Sequence, residues 1–284
     1  MIVLLSILSS MKATMKVLNA FLAIATLVSC GNTYNITGTS NVSMMDGQKL
    51  YLQVPDGDNW KHVDSCDVIH GEFSFAGRID SAKWATIYLD DETATIPLIL
   101  EDGDITVKIN DSPSSTTRTG TPLNDKLNEF LRSFYQIDND YENLSSRHSQ
   151  YIMDGMSEEE ANRRVAVASS KLDQRIDDLV MKYVTGNFDN ILGPGIFIMV
   201  AQALYPQPVL TPWVEDVMSK ATPEFKNNRY VKEYMESAKQ LEEMSTGMAA
   251  PEQQYGEQST PGTGNVPAAP TPNEMAGDST KNSK

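Results

Sequence analysis

From Tyr34 to about Gly120 the chain alternates apolar and polar residues in short runs. Leu50/Leu52/Val54, Phe73/Phe75 and Ile105/Val107/Ile109 each repeat at every second position. That period puts one face of each segment into a core and the other into water, as in a half-buried β-strand. Seven strands are predicted: Tyr34–Gly38, Lys49–Val54, Lys61–Ile69, Glu72–Gly77, Trp84–Leu89, Thr95–Leu100 and Ile105–Ile109. Asp46-Gly47, Asp56-Gly57 and Asp102-Gly103 supply turn residues that accept positive φ. So many short strands in under ninety residues imply an antiparallel β-sandwich over 34–120.

The period then changes. Thr121-Pro122 pairs an N-cap residue with proline at the first helical position. Leu123, Leu127, Phe130, Phe134, Ile137, Tyr141 and Leu144 come next at spacings of three and four, which predicts an amphipathic helix of about six turns. Ser157 and Glu160 have capping-box spacing. Behind them Ala161, Val165, Ala168, Leu172, Ile176, Leu179 and Tyr183 mark a second helix that can pair with the first as a hairpin. Ile191–Tyr205 is apolar on nearly every side and predicts a buried helix. Thr211-Pro212 and Thr222-Pro223 repeat the start signal, and Tyr230–Leu241 forms the last helix. The fold class expected is therefore α+β, with the sandwich followed by an α-helical region over 121–244. From Ser245 to Lys284 aliphatic residues give way to Pro, Gly, Gln, Ser and Thr, a composition that predicts a disordered tail. No internal repeat is evident.

The N-terminus carries a different pattern. Val17–Ser29 is apolar, comes after Lys12 and Lys16, and ends in small residues before Cys30. This is the layout of a secretory signal, too short for the roughly 20 apolar residues of a membrane span. Leu27-Val28-Ser29-Cys30-Gly31 has the form of a lipobox, so residues 1–29 are expected to be a lipoprotein signal peptide. Cys30 is then the lipidation site, carrying a diacylglycerol and palmitate-type acyl chains, and 30–33 is the linker to the fold. An uncleaved anchor helix is the weaker reading, because the apolar run stops at Cys30. Met1–Ser10, apolar ahead of the lysines, fits the signal pattern best if translation begins at Met11 or Met15.

The formal net charge is −15, and loss of Lys12 and Lys16 with the signal takes it to −17. Such a surface repels phosphate backbones, and no basic stripe is visible along the chain, so nucleic acid is not an expected partner. The expected partners are the membrane, through the lipid, and an unidentified envelope protein or ligand; the expected location is the bacterial cell envelope. With Cys30 acylated, Cys66 has no cysteine to pair with.

Candidate chemistry is sparse. His62 and His70 approach each other if their strands pair, yet neither they nor His148 sit in a cluster of metal-ligand spacing, and exposed strand or turn histidines are the simpler reading. Asp56-x-Asp58 opens like a calcium loop but has Lys61 where glycine is needed and Asp67 where glutamate is needed. Asp90-Asp91-Glu92 and Glu101-Asp102-Gly103-Asp104 offer carboxylates for acid–base work, though acidic runs at turns are usually just solvated. No nucleophile elbow, Walker loop or dinucleotide turn is present. Cys66 lacks a CxxC partner and is expected to be a structural thiol. No catalytic residue, cofactor or metal is assigned.

The order of several segments resembles a known domain. They are Ile36-Thr37-Gly38, Asp64-Ser65 before Gly71-Glu72-Phe73-Ser74-Phe75-Ala76-Gly77, Leu100–Ile105, Gly120–Asp125, Asn187–Gly193 and Thr222–Asn227. The chain resembles the domain of unknown function that precedes the thioredoxin-like domain in envelope thiol-disulfide oxidoreductases of the TlpA type, over about Tyr34 to Glu243. It departs from them where the thioredoxin fold and its CxxC would come next, so their redox activity does not carry over. The resemblance implies an accessory role. Three functions are expected, in this order: a non-catalytic lipoprotein that binds an envelope partner, an accessory subunit that docks a separate thioredoxin-like enzyme, and a hydrolase using the acidic turns.

Overall fold

A computed structural model describes residues 32–57, 59–89 and 95–246. The signal segment, the expected lipidation site Cys30, the acidic run Asp90–Glu92 and everything after Thr246 lie outside these residues. All seven expected strands form: β1 Thr33–Ser40, β2 Lys49–Asp56, β3 Asn59–Asp67, β4 Glu72–Arg78, β5 Lys83–Leu89, β6 Thr95–Leu100 and β7 Gly103–Ile109. Ile69, expected at the end of β3, makes only an isolated bridge to Glu72. An eighth strand, β8 Thr117–Thr119, was not expected, because its Thr-Arg-Thr sequence has no apolar residue to betray it.

The strands form two four-stranded sheets in the orders β4-β1-β7-β8 and β3-β2-β5-β6. Ile36, Phe75, Ile105 and Val107 of the first meet Leu50, Leu52, Ile87 and Leu98 of the second in one buried core. Every pairing is antiparallel except β1 with β7, which run parallel. Periodicity marks a strand's buried face but says nothing of its direction, and the chain crosses twice to the other sheet and back between these two. The turn glycines Gly47, Gly57 and Gly103 all have positive φ, as expected. Gly38 and Gly77 serve a different end. They lie opposite Phe73 and Tyr34 across the β1–β4 pair, and a Cβ at either would come within 2.0 or 2.5 Å of the partner's side chain. Each glycine leaves the space in which a cross-strand ring lies.

The helices are α1 Pro122–Met153, α2 Glu158–Thr185, α3 Leu192–Leu204, α4 Pro212–Lys220, α5 Pro223–Asn227 and α6 Arg229–Ser245. Helix α1 runs on past its apolar stripe to Met153, because no Gly or Pro interrupts it before Gly155. At Ser157 half of the capping box forms. The hydroxyl accepts from Glu160 N–H, while the Glu160 carboxylate turns away to Arg163 and Arg164. Helix α3 is the core of this half, as its composition implied. Phe197 stands edge-on to Trp213, Phe225 and Tyr234 at 5.4–5.7 Å between ring centres. No described helix is long and apolar enough to cross a membrane.

The two halves join through the first turns of α1. Strand β6 is an edge strand, and the outward-facing N–H and C=O of Ile99 are both taken by the amide of Asn124, at 3.0 and 2.7 Å. One turn later Asn128 accepts from Arg118 N–H on β8, the edge of the other sheet. From the sandwich side, Glu101 Oε1 accepts from the N–H groups of Leu123 and Asn124, at 2.8 and 3.0 Å. It caps a helix whose own Thr121 hydroxyl caps nothing and instead accepts from Asn124 Nδ2. On the outer face of the second sheet, Ile99 and Trp84 enter the helical core. Gly195 there lies so close that a Cβ would come within 2.2 Å of the Trp84 ring.

The junction is testable by substitution. Asn124 is fully buried, so Asn124→Ala orphans two backbone groups and is expected to cost about 3 kcal/mol in urea unfolding. Asn139→Ala, on the exposed side of the same helix, should stay within about 0.5 kcal/mol.

Candidate binding groove

The expected candidates do not converge. His62 on β3 meets the hydroxyl of Tyr88 at 3.0 Å and lies edge-on to Tyr51. His70 occupies the turn before β4 with φ of 54°, and the structure does not pair it with His62. His148 on α1 has its Nε2 buried without a hydrogen-bond partner. Asp56 ends β2 and Asp58 lies outside the described residues. Among the described residues no group of three or more His, Cys, Asp or Glu could hold a metal ion.

The second acidic turn is occupied by structural work. Glu101 caps α1, Asp102 accepts from Thr33 N–H at 2.7 Å, and Asp104 accepts from Asn35 Nδ2 at 3.1 Å. Cys66 is half-buried. Burial pushes its thiol pKa up, with Asp64 and Asp67 adding to the effect, while a backbone hydrogen bond from Ser74 and the charge of Lys49 oppose it. Burial, more than the neighbouring acids, is what makes it a poor nucleophile.

The structure does assemble a cluster that the sequence did not reveal. On α1, Asp140, Leu144, Arg147 and Tyr151 recur at spacings of four, three and four, and so share one face. On α2, Glu160, Arg164, Ala168, Lys171 and Arg175 do the same. The antiparallel hairpin brings these faces together along one seam, around an open groove of about 680 Å³. Leu144 and Leu172 form its floor, and Val167, half exposed, stands on its wall. Five cations line it, Arg147, Arg163, Arg164, Lys171 and Arg175, against two carboxylates.

Those carboxylates are already paired. Asp140 holds Arg175 at 2.7 Å, and Glu160 holds Arg163 and Arg164. Arg163 and Arg164 hold the Glu160 carboxyl below its usual range. Arg164 also lies over the Tyr151 ring, 5.7 Å from its centre. Arg147 and Lys171 form no ion pair among the described residues, so their charge is uncompensated.

The opposite seam is acidic. There Tyr141 donates to Asp173, and its phenol is pushed up to about 12, first by burial and then by Asp173. Asp177 is raised by burial and by its neighbours Asp173 and Asp178. The hairpin therefore carries opposite charge along its two seams. Periodicity alone could have placed the α2 cations on one face, but only the pairing of helices adds Arg147 and Tyr151.

A further cation stands at the junction. Arg118 on β8 is only 2% exposed, and its Nε and Nη1 have no hydrogen-bond partner. Burial depresses its pKa to about 10, with Tyr135 beside it partly offsetting the loss. Its aliphatic stem is buried with the charge, beside Tyr135 of α1.

Residues 34–127 match the family described as Domain of unknown function (DUF4369). The match takes in the sandwich, Glu101 and Asn124, and ends in the second turn of α1, so the groove lies outside it. No curated protein and no solved structure matches the chain.

The buried cation and the lone thiol each have a measurable consequence. Arg118→Met keeps the stem and removes a buried charge, so it should leave the melting temperature unchanged or raise it, whereas Arg118→Ala should cost about 1–3 kcal/mol. In insulin reduction with dithiothreitol, wild type and Cys66→Ser should be equally inert, since dithiol exchange needs an accessible thiolate and a resolving thiol. Turnover lost in the variant would overturn that.

Proposed function

We propose that this protein is a non-catalytic, lipid-anchored module of the bacterial cell envelope that binds a protein partner along its helical hairpin. The observation that carries this reading is the groove between α1 and α2, where a mixed apolar and cationic surface is held open by side chains from two rigid helices. Sites on regular elements keep their geometry better than sites on loops. In this reading the sandwich is the mount. Its acidic turn caps and braces the fold, and its junction with α1 holds the hairpin at a set angle. The lipobox pattern ending at Cys30 supplies the anchor. A hydrolase based on Glu101, Asp102 and Asp104 is disfavoured, since each is engaged as a hydrogen-bond acceptor.

The anchor and the contact surface are tested separately. Metabolic labelling with an alkyne fatty acid should mark wild type and not Cys30→Ala, and the variant should leave the membrane fraction or stay uncleaved. A photoreactive residue at position 167 should give discrete covalent adducts in intact cells, and one at position 110 on the sandwich should give none. Adducts carrying a CxxC protein would favour the second role, docking of a separate thioredoxin-like enzyme. Equal adducts at both positions would remove the hairpin as the contact surface.

A further inference from the structure

Resting on that reading, we infer that the groove between α1 and α2 receives a short acidic, amphipathic helical segment of a partner protein. Charge argues first. The chain as a whole is strongly acidic at −15, yet four of its eight arginines line this one seam. Some surface cations elsewhere pair along their own helix, as in Lys220–Asp216 and Arg229–Glu233, and others stand singly; only here, among the described residues, do five converge. Here Arg147 and Lys171 are unpaired among the described residues, and Arg163 and Arg164 share Glu160, with Glu159 reaching Arg163 only at 3.9 Å. Gathering cations in an acidic protein costs repulsion among themselves, which an incoming carboxylate relieves.

Shape argues for a segment over a single small anion. From Arg164 to Arg175 the helix rises about 16 Å, so the cations form a ladder, not a pocket. Between them lie Val167, Ala168 and Leu172, an apolar strip that a bare anion cannot use. An amphipathic helix laid between two helices uses both, its apolar residues on the strip and its carboxylates toward the guanidinium groups.

Length argues against a long polyanion. Asp178, seven residues on from Lys171 and so on the same face of α2, stands exposed just past Arg175, and Glu158 and Glu159 stand exposed at the start of α2. A chain of phosphates overrunning the ladder meets these groups and is repelled, while a segment of three or four turns ends before it reaches them.

The test uses the mature chain and a fluorescent synthetic peptide of about fourteen residues, some 20 Å long as a helix. Leucines at spacings of four and three make one face and glutamates the other; its twin carries glutamine for glutamate. The glutamate peptide should bind, the twin should not, and affinity should fall about tenfold between 50 and 300 mM salt.

Arg147→Gln with Lys171→Gln removes the unpaired cations and orphans no carboxylate. It should weaken binding at least tenfold while the circular dichroism spectrum and melting temperature hold. Val167→Glu should do the same through the apolar strip. Equal binding of the twin, or equal binding by wild type and the double variant, would overturn the inference. So would displacement of the peptide by polyphosphate at lower charge concentration, which would assign the groove to a polyanion. Self-association abolished by Val167→Glu would assign it to a second copy, and binding seen only after deletion of residues 247–284 would assign it to the chain's own tail. Adducts at position 167 without peptide binding would sink the acidic partner and leave the hairpin reading standing; peptide binding without adducts would do the reverse.

Discussion

The amide of Asn124 against the free edge of β6 is the contact on which the rest of this architecture depends. An edge strand presents N–H and C=O groups that must be covered, charged or paired. Here the Ile99 peptide groups pair with a side chain that imitates a neighbouring strand, and Asn128 repeats the device one turn later on the other sheet. Two asparagines four residues apart on one helix thereby close the same end of both sheets. Glu101 returns the bond by capping that helix from the sandwich. The halves are thus fastened by reciprocal hydrogen bonds in a buried place, where an unmade bond costs far more than a made one gains.

From that fastening the helical hairpin gains direction. Helix α1 starts locked into the sandwich edge and continues well beyond it, and α2 returns alongside to deliver Tyr183, Val184 and Asn187 to the junction's neighbourhood. Lys126 Nζ donates to Asn187 Oδ1 at 3.2 Å, tying the end of α2 to the start of α1. The α3–α6 cluster around Phe197 then packs on the outer face of the second sheet through Trp84 and Ile99. The distal half of the hairpin is left with a thin apolar seam, Leu144 against Leu172, and ion pairs on its flanks. Exposed pairs of that kind contribute little each. Their arrangement matters more for what the surface attracts than for how firmly the hairpin holds.

The match to DUF4369 ends at Leu127, past Glu101 and Asn124 but one residue short of Asn128. The matched unit therefore holds the sandwich and the first turns of the helix that satisfy the β6 edge through Asn124. The groove lies beyond Leu127, outside the matched residues.

Much of the fold was legible in the chain itself. Strand positions come from alternation, helix starts from Thr-Pro pairs, and the buried α3 from a run apolar on nearly every side, because each is a local balance of propensity and burial. Strand β8 escaped notice since its partner and its cover supply what its sequence lacks, and the parallel β1–β7 pair escaped because alternation is blind to direction. The site was less legible still. Arg164, Lys171 and Arg175 share a face by their spacing on α2, but nothing in the sequence joins Arg147 to them, and Glu101 reads as one acid among several. Spacing within a helix is written in the sequence; which face of one helix meets which face of another is decided by packing, and packing alone turned those charges into one groove and that acid into a cap.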